Sequence, residues 1–161
     1  VVRLLLRHRN RIKLALRRLH GRVEVGVKAF WKSLEAAAQE IVKEQAAIAH
    51  YRREIAAKPL EGTYQDRIRL GEMVASALDE KRKREANNLM RALKRVAVDV
   101  SQGATFGDTM VFHASFLIRK GDFSKFEQAL ENLGKQHNGR LDFKYSGPLP
   151  PYSFTEMNLQ L

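Results

Sequence analysis

From Val23 to Trp31 the chain alternates Val23, Val25, Val27, Ala29 and Trp31 with Glu24, Gly26, Lys28 and Phe30, the period of a β-strand with one apolar face. This stretch limits the fold more than any other, because a single strand leaves backbone N–H and C=O groups unpaired along both edges. No other candidate strand precedes residue 110. Its neighbours therefore come either from far along this chain or from a portion upstream of it. The upstream portion is the expected source, since the sequence opens on Val1 and enters a helical pattern at once.

Helical periodicity surrounds the strand. Between Arg3 and Leu19, Leu5, Ile12, Leu16 and Leu19 form one stripe among Arg7, Arg9, Arg11, Arg17 and Arg18, a basic amphipathic helix that His20-Gly21 ends. Ser33 is a suitable N-cap for a helix running to about Ala57, on which Leu34, Ile41, Ile48 and Ile55 recur every seven residues as a narrow seam. A turn over Pro59–Gly62 follows, and Thr63-Tyr64-Gln65-Asp66 has the form of a capping box. The helix it opens can run to about Val98, roughly 50 Å at the helical rise. Leu70, Val74, Ala77 and Leu78 are apolar at one end of it, and Leu89, Leu93, Val96 and Val100 at the other. Between them Asp79–Asn88 is polar on nearly every face, so this helix is expected to be solvated in its middle and packed at its two ends on different lobes.

Asp99–Thr109 reads as a loop. Beyond it Met110, Phe112, Ala114, Phe116 and Ile118 alternate with Val111, His113, Ser115 and Leu117 as a largely buried strand. Asp122 can cap a helix whose apolar face is Phe123, Phe126, Ala129, Leu130 and Leu133, and after an Asn138-Gly139 turn Leu141, Phe143 and Tyr145 mark a further strand. The unit is β-α-β, with a right-handed crossover if its strands are parallel.

Composition narrows the function. The chain has no cysteine, which removes disulfides, thiolate nucleophiles and cysteine-held metals. No apolar run approaches the ~20 residues that cross a bilayer, so the chain is expected to be soluble and without a membrane span, and the absence of cysteine is compatible with a reducing cytoplasm. His8, His20, His50, His113 and His137 are too scattered for a metal cluster. His113 and Ser115 share a strand face but lack a third catalytic partner, and Gly103-Ala104-Thr105-Phe106-Gly107 lacks the Gly-Lys-Ser/Thr ending of a phosphate loop. Carboxylates sit among Lys and Arg in the manner of solvated ion pairs, as in Glu80-Lys81 and Arg84-Glu85. No catalytic, cofactor or metal site is expected, and the chain is read as a binding protein rather than an enzyme.

The net charge of +11 attracts anionic partners. Arg3–Arg22 carries eight Lys/Arg and no acid, and Lys81-Arg82-Lys83-Arg84 lies with Arg91, Lys94 and Arg95. These two stretches support an alternative reading as a basic helical module for nucleic acid or an acidic protein, although no zinc-finger spacing or aromatic RNP-type strand accompanies them. A membrane-surface role for the first helix is disfavoured because the helix leads directly into a strand.

The most distinctive segment is Gly147-Pro148-Leu149-Pro150-Pro151-Tyr152-Ser153-Phe154, where three prolines remove backbone donors and force an extended path. Such a corner either packs Tyr152 and Phe154 onto the β-α-β unit, the expected arrangement, or presents a Pro/aromatic surface to a partner. The octapeptide resembles the Gly-Pro-Trp-Pro-Pro-Tyr-Ser-Phe signature of the gas-vesicle GvpF/GvpL family, departing from it at Leu149. Leu19-His20-Gly21-Arg22-Val23-Glu24-Val25-Gly26-Val27-Lys28 is similar to the strand motif of that family, including Gly21, Arg22, Glu24 and Lys28, and Phe112–Ile118 resembles its apolar strand before the last helix.

The resemblance implies an α+β protein in which long antiparallel helices link a truncated ferredoxin-like N-terminal lobe to a small C-terminal β-α-β lobe. On this reading residues 1–32 are the last helix and strand of the N-terminal lobe, 33–100 a helical hairpin, and 101–161 the C-terminal lobe with its Pro/aromatic tail. The resemblance further implies an accessory or minor structural protein of gas vesicles that binds the shell protein GvpA and other accessory proteins during assembly. Candidate contact surfaces are the corner, with Gly147, Pro148, Pro150, Pro151, Tyr152 and Phe154, and the seam Leu34, Ile41, Ile48 and Ile55.

Overall fold

A computed structural model describes residues 6–59 and 61–155. The predicted start of the first helix at Arg3, with Leu5, lies outside these residues, as does Leu60 of the Pro59–Gly62 turn. The elements in chain order are α1 (Arg9–Leu19), β1 (Arg22–Trp31), α2 (Leu34–Glu44), α3 (Ala46–Ala56), α4 (Tyr64–Lys94), β2 (Asp99–Gln102), β3 (Met110–Arg119), α5 (Phe123–Gln136) and β4 (Leu141–Leu149), with short 3-10 turns at Lys120–Asp122 and Tyr152–Phe154.

The neighbours of β1 come from this chain. The sheet has the order β2-β3-β1-β4, and β1 pairs antiparallel with β3 on one edge and with β4 on the other. This corrects the expectation that β1 belongs with an upstream portion, and with it the separation of residues 1–32 from the C-terminal sheet. Backbone satisfaction is met by strands from residue 110 onward, and β1 becomes the inner strand of their sheet. β3 and β4 both run opposite to β1 and so parallel to each other, with β1 inserted between the strands that α5 connects. Asp99–Gln102, read as loop, adds a short edge strand to β3. Four residues are too few for the alternation to show in sequence.

Alternation gives the sheet two unlike faces. Val25, Val27, Ala29 and Trp31 of β1 and Phe112, Ala114, Phe116 and Ile118 of β3 are buried against Leu89 and Leu93 of α4 and Phe126, Leu130 and Leu133 of α5. Ring centroids of Phe116 and Phe126 lie 5.3 Å apart, within aromatic contact range.

A second, smaller core joins Ile41 of α2, Ile48 of α3 and Ala77 of α4, with Leu70, Met73, Val74 and Leu78 packed against it. The single long helix expected over 33–57 is two helices. Gln45 stands between them in extended conformation (φ −108°, ψ 100°), with no Gly or Pro to mark the break. Ser33 caps α2 as expected, its hydroxyl accepting from the Ala36 amide at 3.1 Å. Most of the heptad seam is internal: Ile41 and Ile48 are 1% and 2% exposed and Ile55 is buried, so these three offer no surface to a partner, while Leu34 is half-buried against the main core.

Helix α4 does reach both cores, but one face of its middle is covered rather than solvated. Lys81 is 3% exposed, and its ammonium group lies 2.8 Å from Glu40 and 2.7 Å from Glu44 of α2. One turn on, Glu85 takes a 2.7 Å hydrogen bond from Arg140, which also reaches Glu40 at 3.3 Å. Lys81 and Glu85 are four apart and share a helix face, and that face turns toward α2 and the loop before β4. The cluster therefore ties the helical layer to the sheet. The capping box is not formed: the Thr63 side chain makes no capping bond, and Asp66 instead accepts from the Tyr51 hydroxyl at 3.0 Å and Lys58 at 2.8 Å.

Burial of Ile48 predicts that Ile48→Ala costs about 2–5 kcal/mol in urea unfolding, the range for a large-to-small core change. Desolvation pushes the Glu40 carboxyl upward, but hydrogen bonds and charge from Lys81 and Arg140 outweigh it and hold the group below its usual range. A carboxyl lowered on folding stabilises above its unfolded value, and that contribution disappears as pH falls through the folded one. Stability should therefore drop on acidification below about pH 4.5, and Glu40→Gln should flatten that part of a stability-versus-pH profile.

Candidate partner-binding corner

The second face of the sheet carries the polar half of the β1 alternation. Arg22, Glu24, Gly26 and Lys28 stand on it, opposite Arg119, Leu117, Ser115 and His113 of β3. β4 runs along the other edge of β1, where Glu24 is paired with Leu149 beyond an irregularity between Glu24 and Gly26. Gly147 sets that approach. Its φ is +144°, and a Cβ there would stand 2.8 Å from the Glu24 carbonyl oxygen and 3.2 Å from the Val25 Cα, so only glycine lets the chain lie so close to β1. The Gly147-Pro148 peptide is cis.

After Pro150-Pro151 the chain folds into the 3-10 turn at Tyr152–Phe154, in which the Phe154 amide donates to the Pro151 carbonyl at 3.1 Å and the Thr155 hydroxyl to the Tyr152 carbonyl at 2.7 Å. This turn brings Ser153 over Glu24. The Ser153 amide donates to one carboxylate oxygen at 2.8 Å and the Ser153 hydroxyl to the other at 2.6 Å. Because the only proton of that hydroxyl goes to the carboxylate, the 3.2 Å contact with Ser115 is one in which Ser115 donates. Glu24 is 6% exposed, and a carboxylate so far from water needs such donors.

The latch fixes what the corner presents. Pro151 and Phe154 are half-buried, whereas Tyr152 is 69% exposed and Leu149 is exposed as well. This corrects the expectation that Tyr152 packs onto the β-α-β unit: Ser153 directs its amide and hydroxyl to Glu24, and its neighbour Tyr152 is exposed. Leu149, Tyr152 and the half-buried Phe154 give the corner an apolar knob. Sequence reading passed over Ser153 although it lies in the octapeptide. The available signal was Glu24, a carboxylate in a strand bound for the interior that requires donors from somewhere.

Other sequence-predicted residues fall nearby but join nothing catalytic. The Gly21 carbonyl accepts from the Lys120 amide at 3.1 Å, closing the end of β1 onto the end of β3. Lys28 is exposed between His113 and Lys144, and Lys144 Nζ stands 5.4 Å from the centre of the Phe30 ring. His113 Nδ1 is bound at 2.9 Å to the Ala104 carbonyl oxygen while Ser115 serves the latch, so the two share a face and are committed to different partners. The run Lys81–Arg84 is dispersed: Lys81 is buried, Arg82 bonds the Asp108 carbonyl at 3.1 Å, and Lys83 pairs with Asp79 at 2.8 Å. Among the described residues no group of His, Asp and Glu side chains is placed to hold a metal ion, and no helix is long and apolar enough to cross a membrane.

Residues 1–156 match the family described as gas vesicle synthesis protein GvpL/GvpF. The chain belongs to this family. Gas vesicle protein F of Streptomyces sp. (strain CB03234) is 37% identical over 95 residues, 59% of this chain and 39% of the relative. The Nostoc sp. (strain PCC 7120) gas vesicle protein F is 26% identical over 158 residues, 98% of this chain and 64% of the relative. The crystal structure of GvpF from Anabaena sp. PCC7120 superposes with a TM-score of 0.84 at 25% identity, covering 98% of this chain and 63% of that one. GvpF from Microcystis aeruginosa shares the fold, with a TM-score of 0.73 at 20% identity over 96% of this chain and 63% of that one. The chain thus spans less than two thirds of the length of these relatives. The mixed α+β architecture is that of GvpF, and the role is one connected with gas vesicles.

Ser153→Ala removes one of the two donors to Glu24. It is expected to lower stability by about 1–3 kcal/mol in chemical denaturation, the range for a lost hydrogen bond to a charged group. Gly147→Ala should destabilise too, because its Cβ meets backbone rather than a movable side chain.

Proposed function

We propose that this chain is a non-enzymatic assembly protein of gas vesicles, which binds the shell protein GvpA and other accessory proteins in the cytoplasm through the Pro/aromatic corner. The observation that supports it is an exposed Leu149–Tyr152 knob held on the sheet by the buried Glu24 carboxylate. An aromatic anchor fixed before binding loses little conformational entropy on contact, and exposed Tyr side chains of this kind recur as centres of protein interfaces. Shell subunits that have yet to polymerise expose apolar surface, which such a knob can cover. Ile41 and Ile48 of the heptad seam are left out of this contact surface because they are buried in the second core.

The test is capture of purified GvpA by the full-length protein at low and high salt, with a nucleic-acid control. Salt-resistant capture is expected. Tyr152→Ala should weaken it by roughly tenfold or more, as truncation of an interface anchor does, with an unchanged circular dichroism spectrum. Capture unaffected by Tyr152→Ala would remove the corner from the interface. Nucleic-acid binding that vanishes with salt, without capture of GvpA, would replace the proposal with the basic-module reading.

A further inference from the structure

The end of the sheet beside the corner carries a concentration of positive charge that the fold does not neutralise. Arg22 and Arg119 are direct cross-strand partners, and like charges in that relation are destabilising. Among the described residues neither Arg22, Arg95 nor Lys120 has a carboxylate partner. Beside Arg119, the turn after α4 and the start of α5 enclose an open depression of about 440 Å³, lined by Arg95, Arg119, Lys125 and Asp122 over a floor of Val96, Ala97 and Val98. Three cations therefore face one carboxylate there. Asp122 lies 2.9 Å from Lys125 and 3.8 Å from Arg119, which holds those two cations at the rim and leaves Arg95 uncommitted.

We infer that this depression is a docking site for an acidic segment of a protein partner, one that sets a carboxylate against Arg95 and Arg119 and an aliphatic side chain on the Val96–Val98 floor. Charge complementarity selects the occupant. Guanidinium groups pair with carboxylates through two parallel hydrogen bonds, and the apolar floor fits an aliphatic neighbour of the acid. A nucleic-acid backbone is the poorer fit, because the cations form a compact bowl rather than a stripe along which a strand can track. Arg119 is the residue common to the bowl and to the cross-strand pair with Arg22. The inference rests on the partner-binding reading for the class of its occupant. The two fail separately, since the corner is read by capture of GvpA and the bowl by a peptide.

The probe is a fluorescein-labelled peptide alternating Glu and Leu, titrated into the full-length protein by anisotropy beside a Gln-Leu peptide and a single-stranded oligonucleotide. The Glu-Leu peptide is expected to bind and the Gln-Leu peptide not. Arg95→Glu, at an exposed residue without a partner in the fold, should weaken binding tenfold or more, and Arg119→Gln severalfold. The pair Arg9→Glu with Arg11→Glu on α1 should leave it within twofold. Absence of binding, an equal loss from the α1 pair, or tighter binding of the oligonucleotide overturns the proposal.

Discussion

Strand β1 must be hydrogen-bonded along both edges, and both of its partners lie beyond α2, α3 and α4 in the chain. Until β3 and β4 close on it, Val25, Val27 and Ala29 have no core to enter, and Glu24 has no donors. The helical layer is consequently an insertion between one strand and the rest of its sheet. Such long-range closure carries a large entropic cost before contacts reward it. The two cores share that load, α4 joining them through its two ends and through the charged cluster around Lys81 and Arg140.

The same strand carries both the fold and the candidate site. One face of β1 supplies the apolar residues of the main core, and the other supplies the carboxylate on which the last described turn is seated. A buried carboxylate is costly unless it is met by donors, and here both oxygens are served by one residue of the Pro-rich corner. The two signature segments, Gly21–Lys28 and Gly147–Phe154, are thus parts of one physical device: the first provides the acceptor and the second the donors. Ser153 faces Glu24, and the adjacent Tyr152 is exposed.

Much of the fold was legible in sequence. Strands β1, β3 and β4 and helices α4 and α5 announce themselves by period, and the octapeptide and the strand motif point to the family. The pairing of β1 was not legible, because alternation shows that a strand has a buried face but not which strands lie along its edges. The break at Gln45 leaves no Gly or Pro signal. The heptad seam looked like an interface because a narrow apolar stripe is the same whether its partner is another molecule or α4. Lys81 and Glu85 looked solvated because charged residues usually are; only the position of Glu40 and Arg140 shows them paired and largely buried. For the corner, composition showed rigidity but not which of its side chains points inward, which depends on a hydrogen bond to a residue on another strand.

Amide hydrogen exchange of the full-length protein, with and without GvpA, tests the central claim most directly, because it reads every segment at once. The account predicts slowed exchange in the strand and turn around Leu149–Thr155, with the helices α2 and α3 unchanged. Protection confined to those helices, with the Pro/aromatic corner exchanging as it does in the free protein, would contradict it.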